Sequence, residues 1–216
     1  LKIGRSAIGS QAAKTHTAAM TGSDIVHDAL FRQQAVVRVD DYDELLETAA
    51  MFAKTLPPKG GRVGVVSESG GMGSFTADIC GQLGLAGPPL SANTHREMTA
   101  IMGTRGAAAN PADLTLFGIG PEFPSIFDIF VKDEHHDLVV MSTIGGEGQA
   151  QGLVDAVANN DKPILVAWTG SVKRGGLELL RNSDVPLFSL PGKAALAARR
   201  LVDYHATRQR LCAEAG

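Results

Sequence analysis

Cysteine is nearly missing from this chain: Cys80 and Cys212 lie far apart and form no CxxC spacing. A disulfide framework and a thiolate metal site are excluded on that count, and a reducing, cytoplasmic setting is the expectation. No apolar run is long enough to span a bilayer. Charge of one sign is also lacking. The net charge is -3 and the basic residues are scattered, so neither a nucleic acid nor an anionic membrane surface is an expected partner. An initiator methionine is absent too. The opening Leu1-Lys2-Ile3-Gly4-Arg5 reads as the end of a short strand running into a loop, so a piece of a longer polypeptide is expected.

What is present is the makeup of a globular α/β protein. Of 216 residues, 44% are apolar and 20% charged, enough for a packed core. Residues 5–22 are small and polar without periodicity and read as a loop. Thr21-Gly22-Ser23-Asp24 fits a capping pattern, a hydroxyl followed three residues later by an acid. A helix follows to about Gln34, with Ile25, Ala29 and Leu30 on one face. Ala35–Val39 reads as a strand. Asp40 or Asp41 then caps a helix carrying Leu45, Leu46, Ala49, Phe52 and Ala53 at helical spacing. The Pro/Gly-rich stretch Lys54–Gly61 ends it and marks the best boundary, dividing a unit at 1–57 from one at 58–216.

Past that boundary the pattern becomes regular. Strands are read at 62–67, 89–91, 137–142, 163–168 and 185–188. Helices are read at 71–83, 94–102, 148–158, 174–181 and 192–208. Strands that are apolar throughout and alternate with helices imply a parallel sheet covered on both faces. Right-handed crossovers suggest a flavodoxin-like, doubly wound five-stranded sheet of order 2-1-3-4-5, preceded by the C-terminal part of a second α/β domain.

That topology predicts a site before any chemistry is considered. Ligands bind outside the carboxyl ends of such strands, where the winding reverses. The loops there are Ser67–Gly73 and Thr143–Gly148, both glycine-rich and both opening helices. Bare amides at a helix start, with a dipole of about +0.5 charge, make an anion site. Neither loop is GxGxxG or a P-loop. Ser67-Glu68-Ser69-Gly70-Gly71 also satisfies a loosened nucleophile-elbow pattern, leaving open a serine hydrolase built on Ser69. A non-catalytic flavodoxin-like module binding an anion or a partner domain is the other alternative. Asn110-Pro111-Ala112-Asp113 is either a turn or a ligand segment at the mouth of the site. His27, His95, His135, His136 and His205 fit packed or solvated positions. His16 differs, standing in the small-residue run Lys14–Gly22 ahead of a capped helix.

Taken together these residues resemble the NDP-forming acyl-CoA synthetases, relatives of succinyl-CoA synthetase and of ADP-forming acetyl-CoA synthetase. Gly4-Arg5-Ser6, Thr15-His16-Thr17, Gly22-Ser23-Asp24, Phe31-Arg32-Gln33 and Arg38-Val39-Asp40-Asp41 are similar to that family's phosphohistidine segment. Val65–Gly71 and Asn110–Thr115 resemble its next flavodoxin-like domain. The resemblance implies an acid–thiol ligase acting through an acyl phosphate and a phosphohistidine at His16. Phosphate would be held by Gly22 and Ser23 at one helix start and by Ser69, Gly70 and Gly71 at another. Asn110, Asp113, Gly145 and Gly146 would contact substrate, and no metal is expected on these residues. CoA and ATP or ADP with Mg²⁺ would be bound mainly by a CoA-binding domain and an ATP-grasp domain outside this chain, with a small carboxylic acid as substrate. A homo-oligomer is expected, and the fragment alone is expected to be inactive.

Overall fold

The computed structural model describes residues 1–17, 22–170 and 176–215. The chain divides into two compact units, Leu1–Thr48 with Asp203–Gly216, and Ala49–Val202. In the first, Ser6 caps α1 (Ala7–Thr17), its Oγ accepting the Gly9 amide at 3.1 Å and its carbonyl the Ser10 amide at 2.8 Å. The loop expected over residues 5–22 is thus largely helix. Ala7, Gln11, Ala12, Ala13 and Lys14 favour a helix by propensity. Among the described residues of α1 only Ala13 is buried, so no apolar stripe marks it in the sequence. Thr21 and Arg174, expected in a cap and at a helix start, lie outside the described residues.

Ser23 precedes α2 (Asp24–Gln33) in an extended conformation. The strand expected at Ala35–Val39 is absent. Ala35 instead takes φ +53, and the Val36 amide donates back to the Phe31 carbonyl at 2.8 Å. This is a Schellman closure with alanine where glycine is usual. Asp41 caps α3 (Tyr42–Lys54), accepting the Glu44 amide at 2.7 Å, and Glu44 accepts the Asp40 amide at 2.9 Å in return.

In the second unit the order is β1 (Val63–Ser67), α4 (Gly70–Gln82), α5 (Ala92–Met102), β2 (Ala112–Asp113), a 3₁₀ turn (Thr115–Gly118), α6 (Phe123–Val131), β3 (Leu138–Thr143), α7 (Glu147–Asn159), β4 (Ile164–Trp168), α8 (Leu177–Arg181), β5 (Leu187–Phe188) and α9 (Pro191–Ala215). Among the described residues the pairings between these strands are parallel and the sheet order is β2-β1-β3-β4-β5, the expected flavodoxin-like winding. Side chains alternate across it. Val66, Val139, Met141, Ile164 and Val166 pack with Met98, Met102, Phe123, Phe127, Phe130 and Leu153 from α5, α6 and α7. Val63, Val65, Val140 and Leu165 pack with Cys80 of α4 and with Ala194, Ala198 and Leu201 of α9.

Two elements differ from the sequence reading. The second strand is Ala112–Asp113, not 89–91, because Pro88 and Pro89 cannot donate to a ladder. Ser91 caps α5 instead, accepting the Thr94 amide at 3.2 Å. Second, α6 fills a stretch with no element assigned to it. Its buried Phe123, Ile126, Phe127, Phe130 and Val131 follow an i, i+3, i+4, i+7, i+8 stripe. Among the described residues no helix is long and apolar enough to cross a membrane.

The amino ends of the strands form a closed polar rim. Asp137 receives the Arg62 guanidinium at 2.7 and 3.1 Å and the Arg62 amide at 3.0 Å. His136 is 1% exposed, stacks on Phe130 at 4.9 Å and has no hydrogen-bond partner at either ring nitrogen. Burial, and then the charge of Lys162, push its pKa down to about 4, against the opposing pull of Asp133 at 3.9 Å and of Asp137. Burial raises the Asp133 carboxyl, but hydrogen bonds from Thr94, His135 and Ser91 outweigh it and bring it to about 2. The unfolded imidazole protonates near its ordinary 6.5, so His136 stabilises the fold fully above that pH. Its contribution, on the order of 3 kcal/mol, is lost as pH falls toward about 4. Denaturant titrations between pH 7 and 4 should show this decline, and His136→Leu should flatten it. The steeper loss below about pH 4, which belongs to Asp133 and the other carboxylates, should remain.

Candidate functional site

At the carboxyl end of the sheet, Ser67 and Ser142 are paired partners on β1 and β3, so the loops after them emerge side by side. The winding reverses here, with β2 on one side of β1 and β3 on the other. Ser69 is the N-cap of α4: its Oγ accepts the Met72 amide at 3.4 Å, and its carbonyl accepts the Gly73 amide at 2.8 Å. Its own amide donates to Ser67 Oγ at 3.1 Å. Among the described residues nothing accepts from the amides of Gly70 and Gly71. Two free donors at the positive end of a helix of 13 residues form an anion cradle.

Asp113 ends β2 opposite Ser67 and its Oδ1 accepts the Thr115 amide at 3.0 Å. Its Oδ2 lies 2.7 Å from where a Cβ on Gly70 would stand, so glycine is what lets the carboxylate sit against the start of α4. Asn110 is placed elsewhere. Its Oδ1 accepts the Val65 amide at 2.8 Å and its Nδ2 donates to the Val63 and Pro88 carbonyls, both at 2.8 Å. The amide thereby extends the β1 ladder where β2 is too short to reach, and all of these bonds go to backbone.

The second loop is shaped by close contacts. Gly145 has φ +83, and a Cβ there would fall 1.9 Å from the Trp168 ring. Gly146 caps α7 in extended backbone with open space around it. Thr143 Oγ1 accepts the Gly145 amide at 2.9 Å and reaches Gln149 Oε1 at 2.6 Å and Glu68 Oε1 at 3.0 Å. Glu68, which the sequence reading does not single out, also accepts the Ile144 amide at 2.5 Å. A glutamate between two serines carries no signal of such a tie, because its partners lie 75 and 76 residues away.

The hydrolase constellation does not assemble among the described residues. Ser69 Oγ is engaged with Met72, while His95 and His135 contact the carbonyls of Ala108 and Pro89. His136 is buried at the opposite rim. No group of three or more His, Cys, Asp or Glu side chains among the described residues could hold a metal ion.

In the first unit His16 is exposed in the last turn of α1. Gly22 takes φ +64 with the His27 ring against it. The Ser23 side chain makes no cap bond, but its carbonyl accepts the His27 amide at 3.1 Å and lies 2.8 Å from His27 Nδ1. Asp24, first in α2, is surrounded by cations: Arg38 at 2.7 Å, Arg5 at 3.7 Å and Lys2 at 3.8 Å. The Arg38 hydrogen bond holds its carboxyl below the usual range. These cations offset the acid at a helix start that would otherwise repel an anion.

Residues 1–52 match the family described as succinyl-CoA ligase like flavodoxin domain. Over 212 residues the chain is 32% identical to the α subunit of an ADP-forming acetate–CoA ligase II of Pyrococcus furiosus, covering 94% of this chain and 46% of that one. It is 27% identical over 196 residues to an ADP-forming 4-hydroxybutyrate–CoA ligase of Nitrosopumilus maritimus, covering 88% and 28%. The fold superposes with a TM-score of 0.87 and 21% identity on a dinucleotide-forming acetyl-coenzyme A synthetase 1 of Ca. Korarchaeum cryptofilum in complex with phosphate and ADP, covering 100% and 48%. The chain thus spans about half the length of these relatives, or less.

The glycines of the second loop make a contrast that thermal unfolding tests. Gly145→Ala forces a Cβ into the Trp168 ring at positive φ and should cost more than about 3 kcal/mol. Gly148→Ala meets nothing within 4 Å and lies in α7, so it should be neutral or stabilise by up to about 1 kcal/mol.

Proposed function

We infer that this chain, a homologue of the NDP-forming acyl-CoA synthetases, is the segment of such a ligase through which the phosphoryl group passes. The observation that carries this reading is that the kinship covers, in one chain, an exposed histidine in a Thr-His-Thr context and the amide-lined start of α4. In the ligase direction ATP phosphorylates His16. The carboxylate of the acid attacks that phosphorus, forming an acyl phosphate and returning the imidazole, and the CoA thiol then displaces phosphate to give acyl-CoA. Two steps transfer a phosphoryl group and the third an acyl group with phosphate leaving, all without redox chemistry, so positioning and charge stabilisation account for the catalysis.

The residues present fit the phosphate. Free amides at Gly70 and Gly71, next to the Ser69 cap, can donate to its oxygens, and the start of α2 at Gly22 and Ser23, with Asp24 offset by Arg38, Arg5 and Lys2, suits the anionic phosphoryl group carried by His16. Asp113, Gly145 and Gly146 border the α4 mouth where the acid or its phosphate would lie. Mg²⁺ and nucleotide would be held by an ATP-grasp domain outside this chain. CoA belongs to its own domain. Further domains are also supported by α2, which buries no residue and leaves Ile25, Val26 and Leu30 exposed at 80%, 65% and 49%.

The full-length protein incubated with γ-labelled ATP and Mg²⁺ should acquire an acid-labile, alkali-stable label that His16→Ala abolishes. A label that survives His16→Ala would sink the assignment, as would a full-length protein that takes up none. An acid panel in the same protein then identifies the substrate.

A further inference from the structure

We propose that Glu68 is a positioning residue for phosphoryl transfer, its carboxylate holding the β3–α7 loop in the form that completes the phosphate-receiving mouth beside α4. The proposal rests on the functional reading above.

Glu68 stands between β1 and Ser69, the cap of α4, yet its side chain is spent on other segments. Oε1 accepts the Ile144 amide at 2.5 Å and the Thr143 hydroxyl at 3.0 Å. The single Thr143 proton is shared with Gln149 Oε1 at 2.6 Å, while the same hydroxyl accepts the Gly145 amide at 2.9 Å. Gln149, 2% exposed, donates to the Gly118 carbonyl at 2.6 Å. A Cβ on Gly118 would stand 2.5 Å from Glu68 Cβ, so the 3₁₀ turn closes directly over the glutamate. This oxygen therefore ties the β1–α4 loop to the β3–α7 loop, and through Thr143 and Gln149 the network reaches the first turn of α7 and the turn after β2.

The loop it holds has no slack. Trp168 fills the space beside Gly145, and a Cβ on Gly170 would lie 1.6 Å from the Ile144 carbonyl. Displacing Ile144 must then move Gly146 and the first amides of α7. A neutral tie would suffice for stability alone, and a half-buried carboxylate whose Oε2 is out of contact with solvent and has no hydrogen-bond partner among the described residues is a costly way to make one. What the charge adds is a stronger bond to the Ile144 amide, which fixes the loop more tightly.

The test uses the full-length ligase with Glu68→Ala and Glu68→Gln. Hydrogen exchange over residues 143–146 should accelerate about 10- to 100-fold in the alanine variant, the equivalent of one charge-assisted bond. The rate of His16 labelling should fall by about the same factor, with KM for the acid changed less than about threefold. Glu68→Gln, which keeps an acceptor but loses the charge, should restore the exchange protection and the rate in part and to the same extent. Unchanged exchange in the alanine variant overturns the tie, and faster exchange with an unchanged labelling rate overturns the positioning role. Glutamine that restores protection but not rate also overturns it, since the charge would then act on the reacting groups. If the alanine variant does not fold, Glu68→Asp, whose shorter side chain draws the carboxylate away from the Ile144 amide, gives the same readouts. The exchange arm needs no label, so loss of the His16 assignment and loss of the Glu68 assignment remain separate results.

Discussion

Parallel pairing of β1 with β3 runs in register from Val63 and Leu138 to Ser67 and Ser142, and the layout of the second unit depends on it. Both strands are buried on both faces, so slipping the register would drive every valine of one core into the other. The fixed register brings the two strand ends level. Two helices then start side by side, and a glutamate from one loop can reach an amide in the other. The same pairing makes this the place where the winding reverses, since β2 lies on the far side of β1.

The two rims of the sheet use their polar groups in opposite ways. At the amino ends they are spent internally: Arg62 closes on Asp137, Asp133 gathers amides, and His136 is kept neutral in a pocket of phenylalanine and backbone. At the carboxyl ends some donors stay free, above all the amides of Gly70 and Gly71. The carboxylates of Asp113 and Glu68 flank them without filling them. A closed rim supports the fold, and an open one leaves donors for the phosphate proposed above. This division lets a stable sheet carry a charged group at its edge.

The first unit has less of its own support. Its described helices bury few side chains, and α2 depends on charge rather than on packing, through Arg38 to Asp24 and Asp28. The ligases that the chain matches are at least twice as long, and α2 turns Ile25, Val26 and Leu30 outward.

Period and composition were enough to place the parallel sheet, its winding order and the glycine-rich starts of α4 and α7, because a strand buried on both faces must be apolar throughout. The Thr-His-Thr motif and its companion segments carried the resemblance to the ligases that the chain matches. Periodicity in Phe123–Val131 also held the signal for α6, although aromatic residues around a proline obscure it. Other features could not be read locally. Helix α1 forms by propensity with a single buried alanine among its described residues, and Ala35 adopts a left-handed closure that alanine does not announce. Pro88 and Pro89 sent the second strand to Ala112–Asp113, where Asn110 completes the ladder by side chain. Glu68 is the plainest case. Sequence determined that an acid stands before Ser69, but only the tertiary structure decided that it holds Ile144, because hydrogen bonds between distant segments exist only once the strands that carry them are paired.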